Sequence, residues 1–537
     1  NNVFQPINYR NLGPEELGSV YDSLLEMSPE VDLAAGYFKL SIISGSERKT
    51  TGSYYTPTSL VNCLLDSALE PDIDNALHSP QTSTILPEEA LLALKICDPA
   101  CGSGHFLIAA AHRIAKRLAS IRAGEDEPAP SVIQHALRDV IGHCIYGVDL
   151  NPMAVELCKI SLWMEALEPG KPLTFLDHHI QCGNSLLGCT PSLLKQGIPD
   201  AAFTPLTGDD KDYCNRFRRQ NREERDLEVL DIFSADNQVW SNSLPYAPQL
   251  LILDQMADPD LESLVQKEQT FAQIQASDDY QHPKFIFDAW CASFVIGKSS
   301  AADTPYPITQ RILDNIQSNP ANIDPVLKAE IQNLADKYRF FHWHLAFPEV
   351  FSPPVLISSQ SLPKQQPRQP GFDCVLGNPP WERVKLQEKE FFSARDADIA
   401  NAPNAAARKR LIEALPQTDP LLYQAFLAEK RIAEGSSLLI REGGRYPLCG
   451  RGDVNTYTVF AELNRILLSD KGRCGCIVPS GIATDDTTKF FFQDLIDTGS
   501  LVSLYDFENR EGLFPAVDSR MKFCLLTLRT PSTQLTA

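Results

Sequence analysis

Positive charge is what this 537-residue sequence has too little of: Lys and Arg total 48 against 69 Asp and Glu, a net charge of −21. That balance excludes a protein that coats nucleic acid by neutralising phosphates, though not a local basic groove on an acidic body. Long apolar runs are also missing. None reaches the ~18–20 residues of a membrane span, and the N-terminus has no basic segment followed by an apolar stretch of the secretory kind. No short period recurs, which argues against solenoid, coiled-coil and collagen architectures. The 14 Cys are unevenly spaced, and several sit in apolar runs such as Lys95-Ile96-Cys97. They read as reduced thiols of a cytoplasmic protein rather than a disulfide framework, and they lack the paired knuckles of a structural zinc site. Residue 1 is Asn, not Met, so a processed or truncated chain is expected.

What is present is a core: 43% of residues are apolar, enough for about three to four structural units at ~150 residues each. Residues 14–27 put Leu17, Val20, Tyr21, Leu24 and Leu25 on one helical face, with Pro14 in the first turn. A helix is expected from about Thr58 to Leu69. Strands are expected at 91–97, 144–148 and 180–182, separated by helices at 105–121 and 131–141 and one capped by Asn151-Pro152. Strand–loop–helix alternation of this kind marks a parallel α/β sheet. From about 190 to 370 the chain becomes polar, Pro-punctuated and helical, ending in a Pro/Ser/Gln-rich linker at 352–371. Strands then resume at 372–376 and 474–478, after a helix at 454–468. Apolar runs at 501–507 and 521–528 read as an antiparallel pair at the sheet edge. The division expected is 1–50, an N-terminal helical segment; 51–190, the first part of the α/β core; 191–371, a helical insertion with linker; and 372–537, the second part of the core.

Three strand ends carry candidate chemistry. Asp98-Pro99-Ala100-Cys101-Gly102-Ser103-Gly104 is a glycine bend between strand and helix, where a ligand can approach the backbone. It has neither the GxGxxG spacing nor the Gly-Lys-Ser/Thr of phosphate loops. An acid opening the bend suits a ligand bearing a positive amino group. Asp149 closes the next strand, where a carboxylate can accept both hydroxyls of a ribose, although taken alone it would be a helix cap. Asn378-Pro379-Pro380-Trp381 follows FDCVLG. Its prolines stiffen the corner, the Asn378 amide and the Pro379 carbonyl offer two acceptors, and Trp381 offers an aromatic face. Such a corner can hold the exocyclic amine of a nucleobase. Accepting both N–H bonds draws the nitrogen towards sp³ and frees its lone pair for attack.

The succession YYTP (54–57), DPACGSG (98–104), GVDLNP (147–152), GNS (183–185), GNPPW (377–381) and PSG (479–481) resembles the motifs of adenine-N6 DNA methyltransferases, in the order of the gamma class. LGPEELGSVYDSLLE near the start and FFHWHLAFPEVF (340–351) are similar to the large members found in fused restriction–modification enzymes and in BREX- or DISARM-like phage defence. The resemblance implies a seven-stranded Rossmann-like fold dependent on S-adenosylmethionine, with a helical preface and a helical insertion. Tyr55, Thr56 and Pro57 would line the methionine end of the cofactor. Asp98, Pro99, Ala100, Gly102 and Gly104 would form the bend beneath it, Asp149 would hold the ribose, and Leu150 would touch the cofactor adenine, with Asn184 nearby in a place where Asp is commoner. Asn378, Pro379, Pro380 and Trp381 would grip the target adenine, and Phe514 in GLFPAVDSR would stack on its far side. The implied reaction is direct transfer to adenine N6 of a base turned out of duplex DNA, by a cytoplasmic enzyme of a restriction or phage-defence system.

The family's sequence-reading lobe usually lies beyond the last motif. It is therefore expected to be missing, replaced by the insertion, or supplied by a partner subunit, with weak DNA affinity for this polypeptide alone. Rival readings are methylation of a protein glutamine, whose amide NPPY-type loops also hold, and a non-catalytic module that binds the cofactor as sensor or scaffold. No metal is expected. His342-Trp343-His344 alternates as a strand face would, and reads as packed or surface histidines rather than metal ligands. Asp200 with Asp209-Asp210-Lys211 only faintly echoes a nuclease. Arg216–Arg225 reads as a solvated helix, and Arg445 and Arg451 as a mobile DNA-facing loop.

Overall fold

The computed structural model describes residues 18, 20, 27–32, 36–42, 56–78, 85–231, 244, 246–256, 260–301, 305–351, 370–514 and 517–531. Most of the expected preface helix, Tyr55, and nearly all of the 352–371 linker lie outside them. Two strands not expected from sequence, β1 (Met27–Asp32) and β2 (Tyr37–Ile42), pair antiparallel.

Seven further strands form one sheet: β3 (Ile96–Asp98), β4 (Ile145–Asp149), β5 (Ile180–Cys182), β6 (Phe372–Gly377), β7 (Leu468–Pro479), β8 (Leu501–Glu508) and β9 (Lys522–Arg529). Their order is β5-β4-β3-β6-β7-β9-β8, parallel throughout except β9, which runs antiparallel to β7 and β8. The expected antiparallel pairing of the last two strands is therefore present, but only β8 is at the edge. β9 lies inside the sheet, consistent with its six consecutive buried residues. The chain winds outwards from β3 through β4 to β5, then returns to the other side of β3 with β6. That reversal opens a crevice at the carboxyl ends of β3 and β6, the place where open α/β sheets bind ligands.

Each strand's two faces feed different cores, as a period of two requires. Cys374 and Leu376 of β6 pack with Ile96, Ile145 and helices Thr58–Ala68, His105–Ala123 and Pro130–Cys144. Phe372 and Val375 face the other way, into a core that also holds Tyr146, Trp290, Phe294, Leu334, Trp343 and Val459. The insertion thus covers one face of the sheet. Its helix Asp278–Val295 has buried residues all round from Ile286 to Val295, as a helix enclosed on every side should.

Several local expectations change. Leu91 and Leu92 end helix Pro87–Leu92 instead of opening β3, which is only three residues long. A short apolar run fits either structure, and Pro87 at the first turn favours the helix. His342 caps the short helix Trp343–Ala346 rather than lying on a strand. It is buried, with Nε2 3.0 Å from Asp288 Oδ1 and Nδ1 accepting from Cys189 N. Arg445 is buried at 9% exposure, whereas Arg451 is exposed over the Phe490 ring, so only Arg451 offers its charge outwards. Asp200 is bound by Arg222 and Arg225 within the insertion, and Asp209 by Arg431 from beyond β6, so both carboxylates are engaged in ion pairs. Between β6 and β7 the chain adds helices Ala405–Thr418 and Pro420–Glu442, whose Ile412, Leu415 and Phe426 share a small separate core with Phe391 and Phe392.

Candidate active site

The glycine bend begins where β3 ends. Asp98 is buried, and its Oδ1 accepts from Ala100 N at 2.9 Å. Burial is the main reason its carboxyl is pushed up to about 8, with the nearby Asp149 charge adding to the shift and the Ala100 N–H opposing it. Gly102 and Gly104 take φ of 52° and 89°, values that favour glycine. A Cβ on Gly102 would meet nothing within 4 Å, so the bend has open space above it. One on Gly104 would stand 2.8 Å from Cys158 Sγ, beneath the bend.

Asp149 closes β4 beside this bend. Its Oδ2 accepts from Gly102 N at 2.9 Å and its Oδ1 from Asn151 N at 2.8 Å. Burial raises its carboxyl, and the two N–H groups oppose that. The cap of the following helix is formed instead by Asn151, whose side chain accepts from Met153 N. Leu150, next to Asp149, leaves half its surface exposed, 51%, at the mouth of the crevice. After β5, Asn184 N donates to Arg339 O at 2.7 Å, and Ser185 Oγ donates to Pro99 O at 2.6 Å.

The corner at Asn378 closes the same crevice. Gly377 is packed so tightly on Asp98 that a Cβ would lie 2.7 Å from Asp98 Oδ1. Asn378 Nδ2 donates to Thr56 Oγ1 at 3.1 Å. Asn378 Oδ1 is buried and has no hydrogen-bond partner among the described residues. Hydrogen bonds among the described residues leave the Pro379 carbonyl free as well. Thr456 Oγ1 holds the corner from outside, donating to Pro380 O at 2.5 Å and accepting from Glu382 N at 3.0 Å. Trp381 Nε1 donates to Ile477 O at 3.2 Å, which fixes the indole against β7. Pro57 caps helix Thr58–Ala68 through its carbonyl, which accepts from Leu60 N.

Hydrogen bonds and close packing thus tie Thr56 to Asn378, the bend at 98–104 to Asp149 and Ser185, and Asp98 to Gly377, bringing segments far apart in sequence to one crevice. Phe514 is placed differently from expectation. It is buried at 1% exposure, edge-on to Trp381 with ring centroids 5.5 Å apart, so no base fits between the two rings. It buttresses the indole together with Phe523.

Sequence reading missed Arg339. It has φ of +52°, unusual for a residue other than glycine. Its guanidinium donates to Leu150 O at 2.8 Å and Cys182 Sγ at 2.9 Å. It comes from the insertion, and nothing in its local sequence announces this contact with the end of β4.

Sheet order, the single antiparallel strand and the crevice at the β3–β6 reversal define a Rossmann-like methyltransferase fold. Family models match in the same sense: the N-6 DNA Methylase model over residues 37–187 and the Eco57I restriction-modification methylase model over 143–410. Together the two models span residues 37–410, and the chain belongs to the N6-adenine DNA methylase family that they describe. It is 24% identical over 448 residues to RM.MjaORFECS2P, a Methanocaldococcus jannaschii protein described as a type II restriction enzyme and methyltransferase, covering 72% of this chain and 31% of that one. Over 153 residues it is 28% identical to the adenine-specific methyltransferase PglX of Streptomyces coelicolor, 27% of this chain and 11% of that one. The chain therefore spans less than a third of either relative. Solved structures that resemble it include the DrdV–DNA complex, at 9% identity and TM-score 0.38, covering 97% of this chain and 30% of that one. Another is the type IIL restriction–modification enzyme MmeI with DNA, at 10% identity and TM-score 0.35, covering 98% and 41%.

Proposed function

We propose that this chain transfers a methyl group from S-adenosylmethionine to the N6 amine of adenine in duplex DNA, as the modifying part of a cytoplasmic restriction or phage-defence system. The observation that carries the reading is Asn378 Oδ1: a buried acceptor with no partner among the described residues, held at the sheet's reversal point beside Asp98. Buried acceptors are rarely left unmade without a function. An adenine amine supplies the missing donor, and the Pro379 carbonyl accepts its second N–H.

The residues present suit S-adenosylmethionine. The open glycine bend, the Asp149 carboxylate at a strand end and the exposed Leu150 match a bend-bound amino acid, a ribose and an adenine ring in turn. Thr56 and Pro57 stand where the methionine end would lie, and Asn184 close to the adenine. When bound, the cofactor supplies an electrophilic methyl group. The chain's own residues position the amine, polarise it through two acceptors, and stack the base on Trp381 in a pocket of low polarity, where fixed dipoles act strongly.

The test is methyl transfer from radiolabelled cofactor by the purified chain, alone and with its neighbouring subunits, offered duplex DNA or glutamine-bearing release-factor protein in parallel. Label in N6-methyladenine is the result expected. Label in protein alone, or cofactor binding with no transfer in the full assembly, would transfer the case to the rival readings. Trp381→Phe should keep most activity and Trp381→Ala lose roughly 5- to 150-fold, since stacking a base is worth roughly 1–3 kcal/mol.

Cofactor affinity should rise with pH. Asp98 keeps its proton until about pH 8, and a ligand carrying a positive amino group prefers the ionised carboxylate. Binding therefore releases a proton below that pH, and affinity should climb by up to about tenfold per unit between roughly pH 6 and 8. The free protein shows the opposite trend. The folded state holds a proton that the unfolded chain gives up near pH 4, so the Asp98 contribution to stability declines as pH rises from about 4 to 8. Calorimetric titration of cofactor across this range, with Asp98→Asn as comparison, measures the slope. An equal slope in both proteins would remove Asp98 as its source.

A further inference from the structure

At the other end of β5 from Cys182, the structure gathers two histidines and an aspartate that the methyl-transfer reading does not use. His178 and His179 lie in the turn entering β5, which is clamped to β4 by Gly147 N donating to His179 O. Asp254 comes from helix Ala247–Gln255 of the insertion. His178 is 5% exposed and His179 0%, and one ligand atom from each of the three side chains lies within 4.8 Å of the others. Asp254 Oδ1 is 3.2 Å from His179 Nε2 and 3.8 Å from His178 Nε2.

Neither contact is aligned as a hydrogen bond. Both nitrogens of both imidazoles and Asp254 Oδ1 are buried with no hydrogen-bond partner among the described residues. Native folds seldom leave one such atom unmet, and here five stand together. A tetrahedral ion with bonds near 2.0–2.1 Å holds its ligand atoms about 3.3 Å apart, close to the His179–Asp254 separation. The second carboxylate oxygen is already engaged: Lys95 Nζ stands 3.3 Å from Asp254 Oδ2 and donates to His143 O. This fixes the carboxylate with Oδ1 towards the histidines, as outer partners of metal ligands do.

We propose that His178, His179 and Asp254 hold one divalent transition-metal ion of the zinc class, clasping the insertion to the edge of the sheet. Two imidazoles and one carboxylate oxygen suit zinc better than the all-oxygen sets of magnesium or calcium. Burial assigns the ion a structural role, independent of methyl transfer.

The full chain, purified without chelator, is analysed for metal by mass spectrometry, then stripped and titrated with Zn²⁺ and Co²⁺. The expected result is one ion per chain, a higher Tm on rebinding, and a Co²⁺ visible spectrum without thiolate charge-transfer bands, which separates this site from the 14 cysteines. His178→Gln and Asp254→Asn should each lose stoichiometric binding while keeping the circular dichroism of the parent. If either variant fails to fold, the parent's Co²⁺ spectrum decides. No bound ion and no change in Tm on titration would overturn the site, as would thiolate bands or undiminished binding in folded variants.

Discussion

Asn378→Ala should leave cofactor binding within a few-fold of the parent and lower the methyl-transfer rate by roughly two to three orders of magnitude, about 3–4 kcal/mol of transition-state stabilisation. The amide does two separable things. Its Nδ2 anchors the corner to Thr56 Oγ1, while its Oδ1 is buried and unpartnered. In the proposed reaction only the second would bear on the amine, so Asn378→Asp and Thr56→Val divide the roles. Aspartate keeps an acceptor but replaces the donor to Thr56 and introduces a buried charge. Valine removes the anchor and leaves the acceptor in place. Loss of rate in Asn378→Ala with retained rate in Thr56→Val would assign the effect to Oδ1. Single-turnover transfer combined with cofactor titration makes the measurement, and a near-parental rate for Asn378→Ala would end the case for this corner.

Gly188→Ala should be among the most damaging single methyl groups for the fold. A Cβ at Gly188 would lie 2.0 Å from the Phe341 carbonyl oxygen and 2.9 Å from its carbon, both backbone atoms. Backbone cannot swing aside, and here it is held in place: Phe341 N donates to Leu187 O, and Asn184 N donates to Arg339 O. These are the bonds by which the insertion is laced to the loop after β5. Overpacking of this sort costs about 1–3 kcal/mol or more. Tm should fall by about 1–3 °C for a cooperative unit of this size, with loss of the Asn184 N to Arg339 O bond. Gly183→Ala provides the comparison. Its Cβ would meet the Phe341 ring at 2.4 Å, and a side chain can rotate away, so its Tm should fall less. Equal melting of Gly188→Ala and parent would refute the lacing.

The individual parts of the site could be read from sequence because each is a local backbone problem. Glycines at 102 and 104 are needed for a bend with positive φ, Asn151 and Pro152 for a helix start, and two prolines for a stiff corner after β6. Helix His105–Ala123 and the core strands followed from apolar period alone. Helices Ala405–Thr418 and Pro420–Glu442 escaped notice because they bury few residues over most of their length: Ile412, Leu415 and Phe426 share a small separate core, and of their buried apolar side chains only Leu438, Leu439 and Ile440 reach the main one. Phe514 was misjudged for a related reason: an aromatic beside a motif gives no sign of whether its ring faces a ligand or another ring.

Sequence by itself determined the strand-end motifs, their order and hence the chemistry they suit, since turns, caps and apolar periodicity are set by neighbouring residues. Only the tertiary structure decided that β3 and β6 lie side by side, which brings Asp98 against Gly377 across 278 intervening positions. It alone left Asn378 Oδ1 without a partner among the described residues, turned Phe514 towards Trp381, and set Asp254 against His178 and His179. These are contacts between distant segments, governed by how two faces of one sheet are covered, and no local pattern encodes them.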